Sequence, residues 1–274
     1  MSHIEIIQVR PEGRPGAAAL DDVATYLCEF LTENGVSWTH SVNRCNAAAA
    51  ARRVLIGGHL LTDFGFMRSG DIVLNTEPMM EPKFKSNTAF VAMLSSGKYR
   101  VADYSRKNLE LLPAGVDSHW LQFPALRIYE SSWQPRKPIW DFVFFGTLNE
   151  TRKEKISRLR AAGHTVQVLS GVFGPERDAA IRDARYTLNL HYFPSGIFES
   201  VRCVASLRLG TPVLSEWVDQ PYCPEPFKNS VEFVRAGEIA SSSFDFRRGV
   251  SNFDIYLKTA NTPISDEQLQ FFIH

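Results

Sequence analysis

The sequence predicts an α/β protein made of two Rossmann-like domains, each with a parallel sheet. The main observation is that short apolar runs alternate with amphipathic segments along most of the chain, as in successive β-α-β units. The chain has 274 residues, which suits one large or two modest domains, and a hydrophobic share of 44% provides the side chains for their cores.

The second half shows this alternation most clearly. Residues 139–146 form an apolar run that predicts a buried strand, and a charged helix follows in which Ile156 and Leu159 share one face. Gly163 stands where that helix is expected to end. Further strands are predicted at 165–169, 186–193 and 211–216, and further helices at 175–184 and 195–210. Four strands joined by three helices predict a parallel, doubly wound sheet.

The first half repeats the design less regularly. Residues 4–9 predict a strand and residues 20–35 a helix, because leucine and valine recur on one helical face. Further strands are predicted at 52–58, 71–75, 98–104 and 119–123, with helical segments near 86–96 and 105–112. The first half is therefore also expected to be β/α in design.

A proline-containing stretch without clear periodicity, residues 124–138, predicts a linker between the halves. The expected domains are residues 1–135, Rossmann-like, and residues 136–274, also Rossmann-like. The C-terminal segment is irregular and is expected to pack back across the domain interface.

Charge and composition argue against several classes of protein. The 30 basic and 30 acidic residues balance, so the chain has no net positive charge with which to bind nucleic acid. No signal peptide and no run of about 18 apolar residues is present, which predicts a cytoplasmic protein without a transmembrane segment. Peripheral membrane contact and the oligomeric state stay open. The scattered cysteines form no C-x-x-C pair and predict neither a zinc module nor a disulfide framework.

Several ligand-defining motifs are absent from the sequence. No G-x-G-x-x-G follows the first strand of either half, which argues against NAD and FAD. The P-loop motif and the G-x-S-x-G nucleophile elbow are also missing, as is an acidic D-x-D triplet. Two Rossmann-like halves remain, of which the second is expected to hold a phosphate.

Ligands of an open parallel sheet bind beyond the carboxyl ends of its strands, so the residues that follow each strand are candidate site residues. In the second half this rule selects Gly146, Thr147, Asn149, Ser170, Gly171, His191, Tyr192, Ser195 and Gly196. Two of these segments are small-residue turns that open predicted helices, where free backbone amides can hold a phosphate. Arg152 is expected to add positive charge.

The predicted helix from residue 196 carries Glu199 and Arg202 on one polar stripe. A carboxylate one turn inside a helix can accept two ribose hydroxyls while the amides ahead of it face the phosphates. The alternative is a surface ion pair between Glu199 and Arg202 with little effect on function.

Two stretches of the second half, residues 141–169 and 184–216, resemble the nucleotide-sugar-binding domain of GT-B glycosyltransferases of the group-1 type. The first half is similar to that family more weakly. The resemblance implies two domains facing a cleft, with a nucleotide diphosphate-sugar in the C-terminal domain and a hydroxyl-bearing glycan or small metabolite as acceptor in the N-terminal domain. It also implies no cofactor, no obligatory metal, and a place in polysaccharide biosynthesis.

Particular residues match the motifs of that family. Gly146 and Thr147 match a glycine-containing loop near the donor phosphates, and the turn of Ser195, Gly196 and Ile197 matches the loop that leads into the donor helix. Glu199 resembles the acidic residue early in that helix. Many relatives carry a second glutamate where this chain has Ala205, so the resemblance implies that Glu199 holds the ribose alone.

Glycosyl transfer with inversion needs a general base beside the acceptor hydroxyl, whereas retention mostly needs stabilisation of the departing diphosphate. The strand-end rule selects His59 as the catalytic base, with Asp63 and Glu77 as alternatives. A structural hydrogen-bonding role for His59 is the other interpretation. Two further functions suit the same architecture: a non-hydrolysing nucleotide-sugar epimerase, and a catalytically silent module that binds a nucleotide-sugar or a partner protein.

Overall fold

The computed structural model describes residues 3–46, 52–122, 137–193, 196–235, 237–239 and 266–274. The chain divides into two compact units. Unit 1 is Met1–Pro124 together with Ile264–His274, and unit 2 is Ala125–Pro263. The boundary predicted near residue 135 falls outside the described residues.

Unit 1 contains a six-stranded parallel sheet in the order β2-β1-β3-β4-β5-β6. Its strands are β1 His3–Gln8, β2 Ser37–Val42, β3 Arg52–Ile56, β4 Ile72–Asn75, β5 Arg100–Asp103 and β6 Ser118–Trp120. Its helices are α1 Leu20–Glu33, α2 Pro82–Lys85, α3 Thr88–Ser95 and α4 Arg106–Leu109, with short 3₁₀ turns at Pro15–Ala19 and Gly58–Leu60.

Unit 2 contains a five-stranded parallel sheet in the order β11-β10-β9-β7-β8. Its strands are β7 Trp140–Phe145, β8 Val166–Leu169, β9 Ala184–Asn189, β10 Val213–Glu216 and β11 Glu232–Val234. Its helices are α5 Glu150–Ala161, α6 Pro175–Arg182, α7 Ser200–Leu207 and α8 Glu225–Lys228, with a 3₁₀ turn at Gln220–Tyr222.

Strand β7, which lies between β9 and β8, is buried from Phe142 to Phe145, and coverage of both faces of the sheet explains the apolar sequence of these four residues. Phe142 and Phe144 pack with residues of α5 on one face of the sheet. Val143 and Phe145 pack with residues of α6 and α7 on the other. The predicted doubly wound, parallel arrangement is therefore confirmed for unit 2.

Both sheets have the same strand order, in which the first strand lies between the second and the third. The connections from neighbouring strands leave in opposite directions at this point, which opens a crevice at the carboxyl edge where ligands bind. In unit 1 the crevice lies after β1 and β3, and in unit 2 it lies after β7 and β9. The fold thus gives each unit one favoured binding position.

The helix predicted over residues 195–210 is shorter than expected. The described residues 196–199 are not helical, and α7 begins at Ser200 with Glu199 at the N-cap position. Gly196 has φ +59°, outside the right-handed helical region. The strand predicted over 186–193 likewise ends earlier, because β9 stops at Asn189. Glu199 therefore precedes its helix, and its predicted place one turn inside that helix is wrong.

A C-terminal helix, Asp266–Ile273, belongs to unit 1. Phe272 is buried and meets the ring of Phe30 edge-on at 5.9 Å between centroids. The guanidinium of Arg100 lies 4.1 Å from the ring centroid of Phe271 and donates from Nη1 to that residue's carbonyl. No helix within the described ranges is both long enough and apolar enough to cross a bilayer.

Candidate functional site

Two buried arginines lie at the crevice of unit 2. Arg152, on the first turn of α5, is 2% exposed, and Arg202, on the first turn of α7, is 9% exposed. Arg152 donates from Nε and Nη2 to the carbonyl of Leu190 and from Nη1 to that of Thr147, at 2.7 Å for the latter. Arg202 donates from Nη1 to Oδ1 of Asn189 at 3.0 Å. Both guanidinium groups are thus fixed against the ends of β7 and β9.

Glu199 joins the two arginines. Its Oε1 lies 2.8 Å from Nη2 of Arg152, and its Oε2 lies 2.6 Å from Nη2 of Arg202. Glu199 and Arg202 do form the i,i+3 pair that the sequence suggested, but this pair is largely buried and shared with a third side chain. The pair is therefore part of a bridge between two buried arginines.

The backbone at Gly146 leaves room for the Arg202 side chain. Gly146 has φ +129°, and a Cβ on it would lie 2.9 Å from Nη2 of Arg202. A side chain at this position would meet both a strained backbone and a blocked guanidinium. Glycine is therefore required at this strand end for a steric reason.

Asn149 ties the two loops of the crevice together. Its Oδ1 accepts the amide of Arg152 and caps α5, while its Nδ2 donates to the carbonyl of Tyr192 at 2.7 Å. The guanidinium of Arg152 also lies 5.1 Å from the Tyr192 ring centroid. These contacts fix the loop after β9 relative to the N-terminus of α5.

A second charged group lies beside the arginines. The buried Glu216, at the end of β10, accepts the amide of His191 at 2.6 Å, and Nζ of Lys155 lies 2.5 Å from its other carboxylate oxygen. Lys155 was not predicted as a site residue. Its position three residues after Arg152 on a helix is the sequence signal that points to it.

Burial controls protonation in this site. Desolvation, followed by repulsion from Arg202, lowers the pKa of Arg152 to about 10, so the side chain stays charged at neutral pH. Desolvation also lowers the pKa of His191, against the opposing effect of Glu216. The cluster thus brings three basic side chains, Arg152, Arg202 and Lys155, together with the two acidic side chains of Glu199 and Glu216.

Two buried nitrogens of the cluster are unsatisfied. Nε of Arg202 and Nε2 of His191 have no hydrogen-bond partner in the described part of the chain. Buried polar groups are normally paired, so two unpaired nitrogens in one cluster are unusual. An anion with several oxygens, such as a diphosphate, has the chemistry to accept from Arg202.

The remaining predicted donor residues vary in position. Ser170 and Gly171, which follow β8, are exposed, and so is Thr147. The carbonyl of the last residue of β8 accepts the amide of Gly146 at 3.0 Å. Ile197 is buried. Ser195 lies outside the described residues.

The crevice of unit 1 contains His59 and Glu77, which follow β3 and β4. Nε2 of His59 lies 3.3 Å from Oε1 of Glu77. The imidazole also meets the rings of Phe84 and Phe90 edge-on. Desolvation, and then the charges of Lys83 and Arg14, lower the pKa of His59 to about 4, so the ring is neutral at neutral pH and the contact is not an ion pair.

Asp63, the third predicted catalytic residue, serves a local turn. It is exposed, and its Oδ1 accepts the amide of Gly65 at 2.9 Å. The structure thus brings together His59 and Glu77 but gives Asp63 a turn-forming contact. Within the described ranges, no group of three His, Cys, Asp or Glu side chains is arranged to hold a metal ion.

Two parallel-sheet α/β units of this kind define the class of the chain, which has the GT-B fold of glycosyltransferases. Among solved structures it is similar to AviGT4, a glycosyltransferase involved in avilamycin A biosynthesis. The TM-score is 0.62 and the identity 12%, over 99% of this chain and 97% of that one. It is also similar to TarM, with a TM-score of 0.51 and 9% identity, over 81% of this chain and 55% of that one. No protein-family model and no curated protein sequence matches the chain.

Proposed function

We propose that the protein transfers a sugar from a nucleotide diphosphate-sugar to a hydroxyl group of a glycan or small metabolite. The observation that carries this proposal is the pair of buried arginines, Arg152 and Arg202, at the crevice of unit 2. Two fixed cations at the carboxyl ends of parallel strands suit the diphosphate of such a donor. The likeness to AviGT4 gives the same fold, and its reported activity supports the same reaction class.

In this mechanism unit 2 binds the donor and stabilises its departing diphosphate. Negative charge grows on the diphosphate as the bond to the sugar breaks, and preorganised guanidinium groups stabilise it without rearranging. The arginines take the part that a divalent cation plays in other transferases, so we propose transfer without a metal. Glu199 holds both guanidinium groups in place.

Unit 1 supplies the group that activates the acceptor. We assign His59 as the base, because it follows β3 at the crevice of unit 1 and has a carboxylate, that of Glu77, beside its imidazole. Glu77 faces Nε2 at 3.3 Å, which favours the tautomer with the proton on that nitrogen. Nδ1 then takes the proton of the acceptor hydroxyl.

Calorimetry with a panel of nucleoside diphosphates, namely UDP, GDP, TDP and ADP, tests the donor site, with and without EDTA. We expect one of them to bind saturably and EDTA to leave the affinity unchanged. Arg202→Gln is expected to weaken that binding at least about tenfold, or about 1.4 kcal/mol. Arg158→Gln is the matched control, since Arg158 lies on the exposed surface of α5 and pairs with Glu154.

Equal losses in the two variants would remove Arg202 from the site. A folded protein that binds no member of the panel would contradict donor binding. A protein that binds a nucleoside diphosphate but neither hydrolyses nor transfers the corresponding nucleotide-sugar would instead be the silent binding module.

A further inference from the structure

Three polar side chains of unit 1 form a hydrogen-bonded network with almost no exposure to solvent. Asn75 ends β4, Asp103 ends β5, and Asn108 lies on α4, and each is at most 1% exposed. Oδ2 of Asp103 accepts from Nδ2 of Asn75 at 2.6 Å, and Oδ1 accepts the amide of Ser105 at 2.7 Å. Nδ2 of Asn108 lies 3.1 and 3.2 Å from the two carboxylate oxygens.

The network holds one short segment of backbone, residues 77–79. The carbonyl of Glu77 accepts from Nδ2 of both Asn75 and Asn108, at 2.9 and 2.8 Å. The amide of Glu77 donates to Oδ1 of Asn75 at 3.1 Å, and the amide of Met79 donates to Oδ1 of Asn108 at 3.0 Å. Both backbone polar groups of Glu77 are therefore bonded to this network.

A charged carboxylate is unfavourable at the buried position of Asp103. The hydrogen bonds to its carboxylate come from two amide side chains and one backbone amide, none of which carries a full positive charge. Burial raises its pKa to about 8, which shows how unfavourable the charged form is there. An apolar side chain in its place would remove the acceptor of the Ser105 amide and one acceptor of each asparagine, so the carboxyl group is needed to complete the network.

We propose that Asp103, together with Asn75 and Asn108, positions Glu77 beside His59. The network fixes the backbone of Glu77 on both sides, and the side chain that leaves this backbone is the one that lies 3.3 Å from the imidazole. Asp103 orients the two asparagines, and they orient Glu77. This inference rests on the proposed role of His59 as the base, but it concerns the protein without any ligand.

The imidazole tautomer of His59 provides the test. In the full-length protein labelled with ¹⁵N-histidine, we expect the nitrogen chemical shifts at neutral pH to show the proton on Nε2, the atom that faces Glu77. Glu77→Ala is expected to lower the ratio of the Nε2–H to the Nδ1–H tautomer about tenfold. Asp103→Asn is expected to lower it in the same direction, and the double variant to lower it no further than Glu77→Ala alone.

Asp117→Asn is the matched control, because Asp117 is an exposed carboxylate of the same unit. If Asp103→Asn does not fold, as thermal unfolding would show, Asn75→Ser removes a smaller part of the network and is expected to give the same loss. A folded Asp103→Asn or Asn75→Ser protein with the wild-type tautomer ratio would overturn the inference. Failure of the proposed function is a separate result, because it is measured as the absence of nucleotide binding or transfer.

Discussion

Gly146 and Arg202 are in such close contact that a Cβ on the glycine would lie 2.9 Å from Nη2 of the arginine. Gly146→Ala is therefore expected to displace the guanidinium and strain the backbone, which has φ +129°. The affinity for the nucleoside diphosphate is expected to fall at least about tenfold by calorimetry.

Gly163→Ala separates the two causes. Gly163 has φ +92° at the end of α5, and a Cβ there would meet nothing within 4 Å. It carries backbone strain of about 1–2 kcal/mol without touching an arginine. Loss of affinity in both variants would mean that strain, and not the contact with Arg202, weakens binding.

Glu199→Ala removes the carboxylate that joins Arg152 and Arg202. Without it the two guanidinium groups repel each other and lose their common orientation, so we expect weaker donor binding and a loss of about 1–3 kcal/mol in the free energy of unfolding. Calorimetry and urea denaturation measure the two effects. Unchanged or tighter binding would show that Glu199 only neutralises the arginines.

The buried carboxyl of Asp103 predicts a pH dependence of stability. Its pKa is about 8 in the folded protein but about 3.9 in an unfolded chain. The folded state therefore binds the proton of Asp103 more tightly than the unfolded chain does. The stability that this proton contributes is fully present below about pH 4, and it is lost as the pH rises through about 8. The difference in unfolding free energy between wild type and Asp103→Asn is expected to fall over this range.

His59 works in the opposite direction, because its folded pKa of about 4 lies below its unfolded value. The stability that His59 contributes is lost as the pH falls. Because His59 is present in both wild type and Asp103→Asn, this effect largely cancels in the difference between their unfolding free energies. Urea denaturation at several pH values gives the result. A difference that stays constant with pH would contradict the raised pKa of Asp103.

The C-terminal helix is expected to be essential for the stability of unit 1. Phe272 is fully buried against Phe30, so Phe272→Ala is expected to cost about 3–5 kcal/mol in the free energy of unfolding. Leu111→Ala, at a half-exposed site in the same unit, is the control and is expected to cost less than about 1 kcal/mol. Similar costs for the two variants would contradict the packing described.

The sequence predicts the buried strands and two of the four edge strands, β6 and β8, but misses the other two edge strands, β2 and β11. Strand β7 is apolar from Phe142 to Phe145 because both faces of the sheet are covered there. Strand β2 was missed because its residues, SWTHSV, lie at the sheet edge and are mostly exposed, so no apolar run marks it. The three-residue strand β11 occupies the edge of the other sheet and was missed too.

The candidate sites were predicted in part for a similar reason. The strand-end rule depends only on topology, and it selected Gly146 after β7, His59 after β3 and Glu77 after β4. It gives no information about which side chains pair. That Glu199 bridges two arginines, or that Lys155 of α5 contacts Glu216 of β10, depends on contacts between residues far apart in the chain.

The C-terminal helix also has a consequence for synthesis. Phe30 and Arg100 are made early, yet the helix that covers them is translated only after unit 2. Domains usually fold in the order in which they leave the ribosome. In this chain unit 2 has all its strands before unit 1 receives its last element, so the unit that begins first is completed last.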